Sequence, residues 1–308
     1  MKRISIFFAV IGIFGLVLCG SSPAATVTVN LKSAVGAQVY GPVSTDFAGN
    51  PTGTSTSAAA LGSVPASWPQ APAVSELTGA IWITPTPPLD TSATENFSLF
   101  QDSFTPPCTA VDLAGTVGTL STAANNLETV YFNKDPLGTS TDSGSGPPVL
   151  DSLTFVPVQG ENTFGFDVDT HVASGTTNPV GLIYEASITF TVPTVVWRPP
   201  INTGRTILKN GTTLPIKFVL TTSAGTLHKS QNIYLSITGP SGEVVRFAPG
   251  QGLTFARGNG QYHANFHTKS FGLQTGVQYT ISVVDACSGS ALSSLPMQIY
   301  GKAPHGKK

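Results

Sequence analysis

A two-residue period, broken again and again by glycine and proline, constrains this chain more than any other feature. "TVTVNL" (26–31), "NTFGFDVDTHV" (162–172) and "ASITFTV" (186–192) set apolar residues on one parity and small polar ones on the other. Such alternation makes half-buried strands and cannot make an amphipathic helix. Charged residues are only 10% of the 308, while 32 Gly and 24 Pro supply frequent turns, so the expected class is all-β. Further strands are expected at 79–85, 96–104, 127–133, 151–158 and 181–192. Residues 44–75 are rich in Ser, Thr, Ala, Gly and Pro without a period and read as a long loop or linker. "PTVVWRPPIN" (193–202) marks a boundary. Beyond it, seven short strands are expected at 213–220, 232–239, 243–247, 253–257, 261–268, 278–285 and 295–301. Asn259–Gly260 suits a tight hairpin there.

The chain opens "MKRISIFFAVIGIFGLVLCGSSPAA": two basic residues, an apolar run from Ile4 to Leu18, then small residues. This predicts a secretory signal peptide over 1–24, with Ser22 and Ala24 at the positions a signal peptidase reads. The run is short for a span of about 20 residues, which argues against a membrane anchor. Cys19 suggests lipidation, but Leu18 fills a place that normally requires a small residue. The expected protein is secreted or at the cell surface, with no membrane span after cleavage. The expected layout is an N-terminal strand and Ser/Thr/Pro-rich segment (25–69), an acidic sandwich (70–193), a basic sandwich (194–303) and a basic tail (304–308).

Those two signs are the second constraint. Between Ala25 and Pro193, 14 Asp/Glu face only Lys32 and Lys134, a charge of −12. From Thr194 onward, 11 Lys/Arg face only Glu243 and Asp285, a charge of +9. Such a dipole folds back on itself, stacks head to tail between molecules, or orients the protein on an anionic surface. An exported chain seldom meets nucleic acid, so none is expected as partner. Cys108 and Cys287 lie one in each half and are candidates for a disulfide; two lone thiols or an intermolecular bridge are the alternatives.

Candidate chemistry is sparse. In "DVDTH", Asp167, Asp169 and His171 share one strand face. Residues i and i+2 lie about 6.7 Å apart and i and i+4 about 13 Å. Asp167 and Asp169 can therefore share a cation such as calcium, while His171 is out of range. The main expectation for that face is a solvated or carbohydrate-facing surface. His263 and His267 repeat the spacing, which disfavours a transition metal. H-E-x-x-H, G-x-S-x-G, P-loop and C-x-x-C motifs are absent from the sequence. Core packing is the first expectation for Trp82, Tyr131 and Trp197, with sugar stacking on their aromatic faces as the alternative. Asn126, Asn133 and Asn162 suit turn hydrogen bonding first and ligand contact second.

Two stretches resemble known families. "GAIWITP", "FSLFQDSF", "AANNLETVYFNKDPLG", "FVPVQGENTFGFDV" and "NPVGLIYEASITF", over about residues 70–192, resemble galactose-binding-like jelly-roll modules of exported bacterial surface proteins of the exosortase-sorted type. Asn125 stands where that family usually has Asp, and Asn133–Lys134 replaces its Asn-Gly. Pro215-Ile216-Lys217-Phe218, with "GRTILKNGTTL" before it and "HTKSFGLQTGVQYTISVVD" after, resembles the immunoglobulin-like P-x-K-F accessory module. The resemblances imply a jelly roll followed by an immunoglobulin-like sandwich. They also imply a non-catalytic binding or adhesion protein directed at a glycan, a matrix polymer or another surface protein. A stalk or surface-layer subunit that stacks through its opposite charges is the alternative, and an accessory fragment of a polysaccharide hydrolase is a second one. No cofactor is expected beyond the calcium considered above.

Overall fold

The computed structural model describes residues 24–43, 48–51, 55–60, 77, 79–85, 95–125, 127–140, 148–171, 181–201 and 206–300. Residues 1–23 of the expected signal segment, Cys19 among them, Asn126 and the tail fall outside them. The described chain is all-β apart from one 3₁₀ turn, Thr268–Phe271. Among the described residues no helix is long and apolar enough to cross a membrane.

The first sandwich holds β1 (Ala25–Lys32), β2 (Gln38–Val43), β3 (Thr56–Ser57), β4 (Ala59–Ala60), β5 (Ile83–Thr84) and β6 (Glu95–Phe104). It continues with β7 (Gly118–Ala124), β8 (Leu127–Phe132), β9 (Asp135–Thr139), β10 (Asp151–Phe155), β11 (Asn162–His171) and β12 (Leu182–Val192). One sheet runs β10-β7-β12, with β1 paired along the whole of Ala25–Lys32 to the far side of β12. The facing sheet runs β6-β11-β8-β9, extended past β6 by β2 and β3. From β6 to β12 the chain changes sheet at every step except β8 to β9. Eight strands, four to a sheet in this order, make a jelly roll. Of the expected strand at 79–85 only Ile83–Thr84 pairs, against β12 and β4.

Alternation explains why these segments pair as they do. Phe164, Phe166 and Val168 of β11 point inward with Phe100 and Phe104 of β6, and Val130 and Phe132 of β8. Phe155 meets Phe164 edge-on at 4.9 Å, and Tyr184 stacks on Phe166 at 4.3 Å. Each such ring contributes roughly 1.5–3 kcal/mol by leaving water, with about 0.5–1.5 kcal/mol more per aromatic pair.

The second sandwich holds β13 (Thr194–Arg198), β14 (Thr206–Lys209), β15 (Thr213–Thr221), β16 (Leu227–His228), β17 (Ile233–Gly239) and β18 (Gly242–Pro249). β19 (Gly252–Ala256), β20 (Gln261–His267), β21 (Gln278–Asp285) and β22 (Ala291–Tyr300) complete it. One layer runs β13-β15-β20-β19 and the other β18-β17-β21-β22-β14. The first edge strand is split: β13 pairs antiparallel with β15, then β14 crosses over to pair parallel with β22. These layers correspond to the two sheets of an immunoglobulin-like sandwich. At Pro215 the strand has β20 on one side only, because β13 begins pairing at Lys217. A residue without an N–H is tolerated at such an edge. The β19–β20 loop departs from the two-residue turn expected of Asn259–Gly260. Ala256 pairs with Gln261, so the loop spans four residues, and Gly260 alone among them takes positive φ (64°).

A disulfide joins the modules. Cys108, in the loop after β6, is bonded to Cys287 just beyond β21, with Cα atoms 5.6 Å apart across a sequence separation of 179. The wholly buried Asp285 carboxylate sits beneath it and gathers five donors. Cys108 N–H (3.2 Å) and Thr109 N–H (2.9 Å) come from the first module. Cys287 N–H (3.0 Å), Ser288 N–H (2.9 Å) and Ser288 Oγ (3.1 Å) come from the second. Leu292 packs against both hydrophobic cores.

Candidate functional site

The residues singled out from sequence do not converge. Trp82 is 3% exposed and packs with Leu77, Ala80, Ala123 and Ile183 in a small core, so it presents no face to a sugar. Tyr131 is buried under Gly49, where an added Cβ would lie 2.5 Å from the Tyr131 ring. Asn162 is fully buried and uses its whole amide internally. Its Oδ1 accepts from Val158 N–H (2.8 Å) and Asn133 Nδ2 (3.1 Å), and its Nδ2 donates to Val158 O (2.8 Å) and Gly160 O (3.0 Å). Asn133 takes positive φ (53°), and its Oδ1 accepts from Thr163 N–H at 2.9 Å. Asn133 in the β8–β9 turn and Asn162 in the turn leading into β11 are thus turn staples rather than ligand contacts. Asn126 lies outside the described residues.

The face bearing Asp167 and Asp169 is a correction of a different kind. A solvated strand surface was expected, yet Asp167 is 4% exposed and Asp169 half-buried. Their outer-face neighbours include Leu99, fully buried, and Tyr131, with Gly49 lying over the sheet. An extra layer therefore covers what the alternation marked as the wet side. Among the described residues no third Asp, Glu, His or Cys completes a metal cluster with them. The trio that does come together is Cys108, Asp285 and Cys287. Its sulfurs are bonded to each other and its carboxylate is taken up by five donors. His263 and His267 lie on the outward face of β20, and His267 Nδ1 meets Thr213 Oγ1 at 2.7 Å. Trp197 packs on Phe218, and its Nε1 donates to Ser293 Oγ at 3.0 Å.

Sequence reasoning missed three features. The first is inside the jelly roll. Glu128 is fully buried, with Thr122 Oγ1 donating to its Oε1 at 2.8 Å. Burial, opposed in part by that hydrogen bond and reinforced by Asp151, pushes its pKa up to about 8. The signal was present: Glu128, Val130 and Phe132 share a parity, so the strand that buries the last two must bury the first.

The second is a polar cleft of about 400 Å³ lined by Gly36, Gln38, Gln101, Asp102, Glu161 and Thr163. Asp102 accepts from Tyr184 Oη (2.9 Å) and from Ser103 N–H (2.8 Å). Burial raises its pKa, although both hydrogen bonds pull the other way. The cleft offers two side-chain amides, two carboxyls and the hydroxyls of Ser103 and Thr163. It holds no histidine, lysine, arginine or cysteine.

The third is a cleft of about 360 Å³ in the second module, between the β16–β17 loop and the β18–β19 junction. Lys229, Phe255 and Arg257 line it together with Leu253, Pro249 and Tyr262. The β16–β17 loop, the end of β18, β19 with the loop after it, and β20 supply these residues, so no single local motif announces the cleft.

No protein-family model matches the chain, and no curated protein matches it. Among solved structures, β-glucuronidases overlap loosely. That of Ruminococcus gnavus aligns at 10% identity and TM-score 0.33 over 88% of this chain and 45% of its own. Those of Lactobacillus rhamnosus (10%, TM-score 0.32) and an uncultured Clostridium (9%, TM-score 0.31) each align over 89% of this chain, and over 44% and 45% of their own. The chain thus spans less than half the length of these proteins. Overlap this loose carries no argument about this chain.

Proposed function

We propose that this is an exported, non-catalytic binding protein of the cell surface or matrix, and that its jelly roll recognises a glycan through the Gln38–Gln101–Glu161 cleft. The observation that carries the reading is the cleft's chemistry. Amide, carboxylate and hydroxyl groups placed side by side are acceptors and donors for sugar hydroxyls. A hydrolase acting through two carboxyls needs a general acid beside the scissile bond and a second carboxylate across it. Here Asp102 already serves Tyr184 and Ser103, which anchors it to the sandwich.

The experiment is a glycan array read with the full-length mature chain, then repeated with Gln38→Ala and Gln101→Ala. The expected result is salt-insensitive binding that each substitution weakens about tenfold, the scale of one or two lost hydrogen bonds. Cleavage of any bound polysaccharide, abolished by Glu161→Gln, overturns the non-catalytic part. The charge split favours a second reading, head-to-tail stacking of acidic on basic modules. Such assemblies dissolve as added salt shortens the screening length to about 3 Å at 1 M, so light scattering against salt separates it from the first.

A further inference from the structure

The second cleft has a construction that the jelly-roll reading does not use. Its back wall is held from within the core. Tyr262 stacks on Phe218 at 4.9 Å, and Phe255 tilts against Tyr262, also at 4.9 Å. The Tyr262 hydroxyl closes the loop opposite by donating to Ser230 O (2.8 Å) and accepting from Ser230 N–H (2.8 Å). Lys229, next in the chain, lies with Nζ 5.4 Å from the centre of the Phe255 ring. Arg257 stands at the rim, where β19 turns toward β20.

Among the described residues neither cation is neutralised. No carboxylate lines the cleft, and among the described residues neither Lys229 nor Arg257 has an ion-pair partner. The module's two acids are engaged elsewhere: Glu243 with Ser236 and Arg246, and Asp285 under the disulfide. Two cations beside a half-buried aromatic and the apolar Leu253 and Pro249 ask for a ligand with an anionic group and a carbon-bound face. A bare inorganic anion leaves the apolar wall unused. Single-stranded nucleic acid is read by several aromatic platforms along a charged track, and this cleft has one such platform.

We infer that this cleft binds an acidic pyranose, a sugar ring bearing a carboxylate or a sulfate, as part of an anionic polysaccharide. The guanidinium of Arg257 takes the anionic group in its planar fork, and Lys229 adds a point charge. The CH face of the ring lies against Phe255. Because Tyr262 fixes both walls before any ligand arrives, little ordering is required on binding. This inference concerns the second module and stands apart from the jelly-roll glycan reading.

The test is equilibrium binding of the full-length mature chain to four polymers at low salt: polygalacturonate, dextran sulfate, neutral dextran and polythymidylate. The variants are Lys229→Gln/Arg257→Gln, Phe255→Leu, and a control pair Lys209→Gln/Lys269→Gln that removes the same charge from exposed sites elsewhere. All are checked for folding by thermal melting. The expected result is binding of one or both acidic polysaccharides, weakened about tenfold or more by the double cleft variant, as expected for lost charge-assisted bonds, and unchanged in the control. Phe255→Leu should weaken those polymers while leaving competition by free sulfate unchanged. The two acidic polymers distinguish a carboxylate from a sulfate source. Equal loss in the cleft and control variants overturns the cleft and leaves only diffuse attraction. Polythymidylate binding as tightly as the acidic sugars overturns the ligand class. No binding to any acidic polymer overturns the inference outright, while the jelly-roll reading still stands or falls on its own array.

Discussion

The two sandwiches treat their carboxylates in opposite ways. The jelly roll, with most of the acids, draws several inward: Glu128 has no exposed surface and a single hydroxyl donor to its carboxyl. The immunoglobulin-like module has two acids and leaves neither isolated. Asp285 is buried but receives five donors, and Glu243 lies at the surface, held below its usual range by Ser236 Oγ first and Arg246 second. Burial penalises the charged form of a carboxyl, and donors aimed at it restore that form. The contrast separates a carboxyl kept neutral by its surroundings from one used as a structural knot between modules.

Removing the knot's covalent partner is the strongest way to break the comparison. In the chain-entropy model, a bridge spanning 179 residues stabilises by about 5 kcal/mol, so Cys108→Ser/Cys287→Ser should lose much of that. Calorimetry should then resolve two transitions where the oxidised protein shows a coupled one. An unchanged single transition would mean that the module contacts alone hold the pair.

The next effect belongs to Glu128. The folded protein keeps its proton up to about pH 8, whereas the unfolded chain releases it near 4.5. Stability is therefore full below pH 4.5, declines as pH rises through that window, and levels off above 8. Asp102, also raised by burial, adds a loss of the same sign. Glu128→Gln keeps an acceptor for Thr122 and removes the titration. At pH 9 it should exceed the wild type by on the order of 3 kcal/mol in urea unfolding, with little difference at pH 4. Parallel stability–pH curves for the two proteins would sink the assignment.

The smallest effect tests the covered outer face. Gly49 has φ of 71°, and an added Cβ would strike the Tyr131 ring. Gly49→Ala should cost about 2 kcal/mol through strain and overpacking together. A cost below about 0.5 kcal/mol, the range of ordinary surface substitutions, would show that Gly49 does not cap Tyr131.

The alternation was a reliable guide to which residues pair and a poor guide to which face meets water. "NTFGFDVDTH" put Phe164, Phe166 and Val168 on one side, and the core contains them. It could not show that Gly49 lies against the other side, over Tyr131 and Gly165, because a covering segment leaves no periodic mark on the strand it covers. Trp82 packs in a core, as its residue type favours, but its neighbours Ala123 and Ile183 come from β7 and β12, which the local pattern does not show. Asn133 and Asn162 are turn residues by type, and the structure uses them at turns. The cysteines were visible as a pair of candidates, but only the fold brings two loops 179 residues apart within bonding distance.

The sequence by itself determined the all-β class and the inward parity of each long strand, because these depend on neighbours one to four positions away, and the change of charge at the module boundary, because that is a sum over residues in chain order. Tertiary structure alone decided the jelly-roll order, the carboxylate knot beneath Cys108–Cys287 and the meeting of Lys229, Phe255 and Arg257. Each of these joins segments far apart in the chain: strands in the first, two loops 179 residues apart in the second, and Lys229 with the Phe255–Arg257 stretch in the third. Chain proximity carries no information about contacts that form only once both sheets have closed.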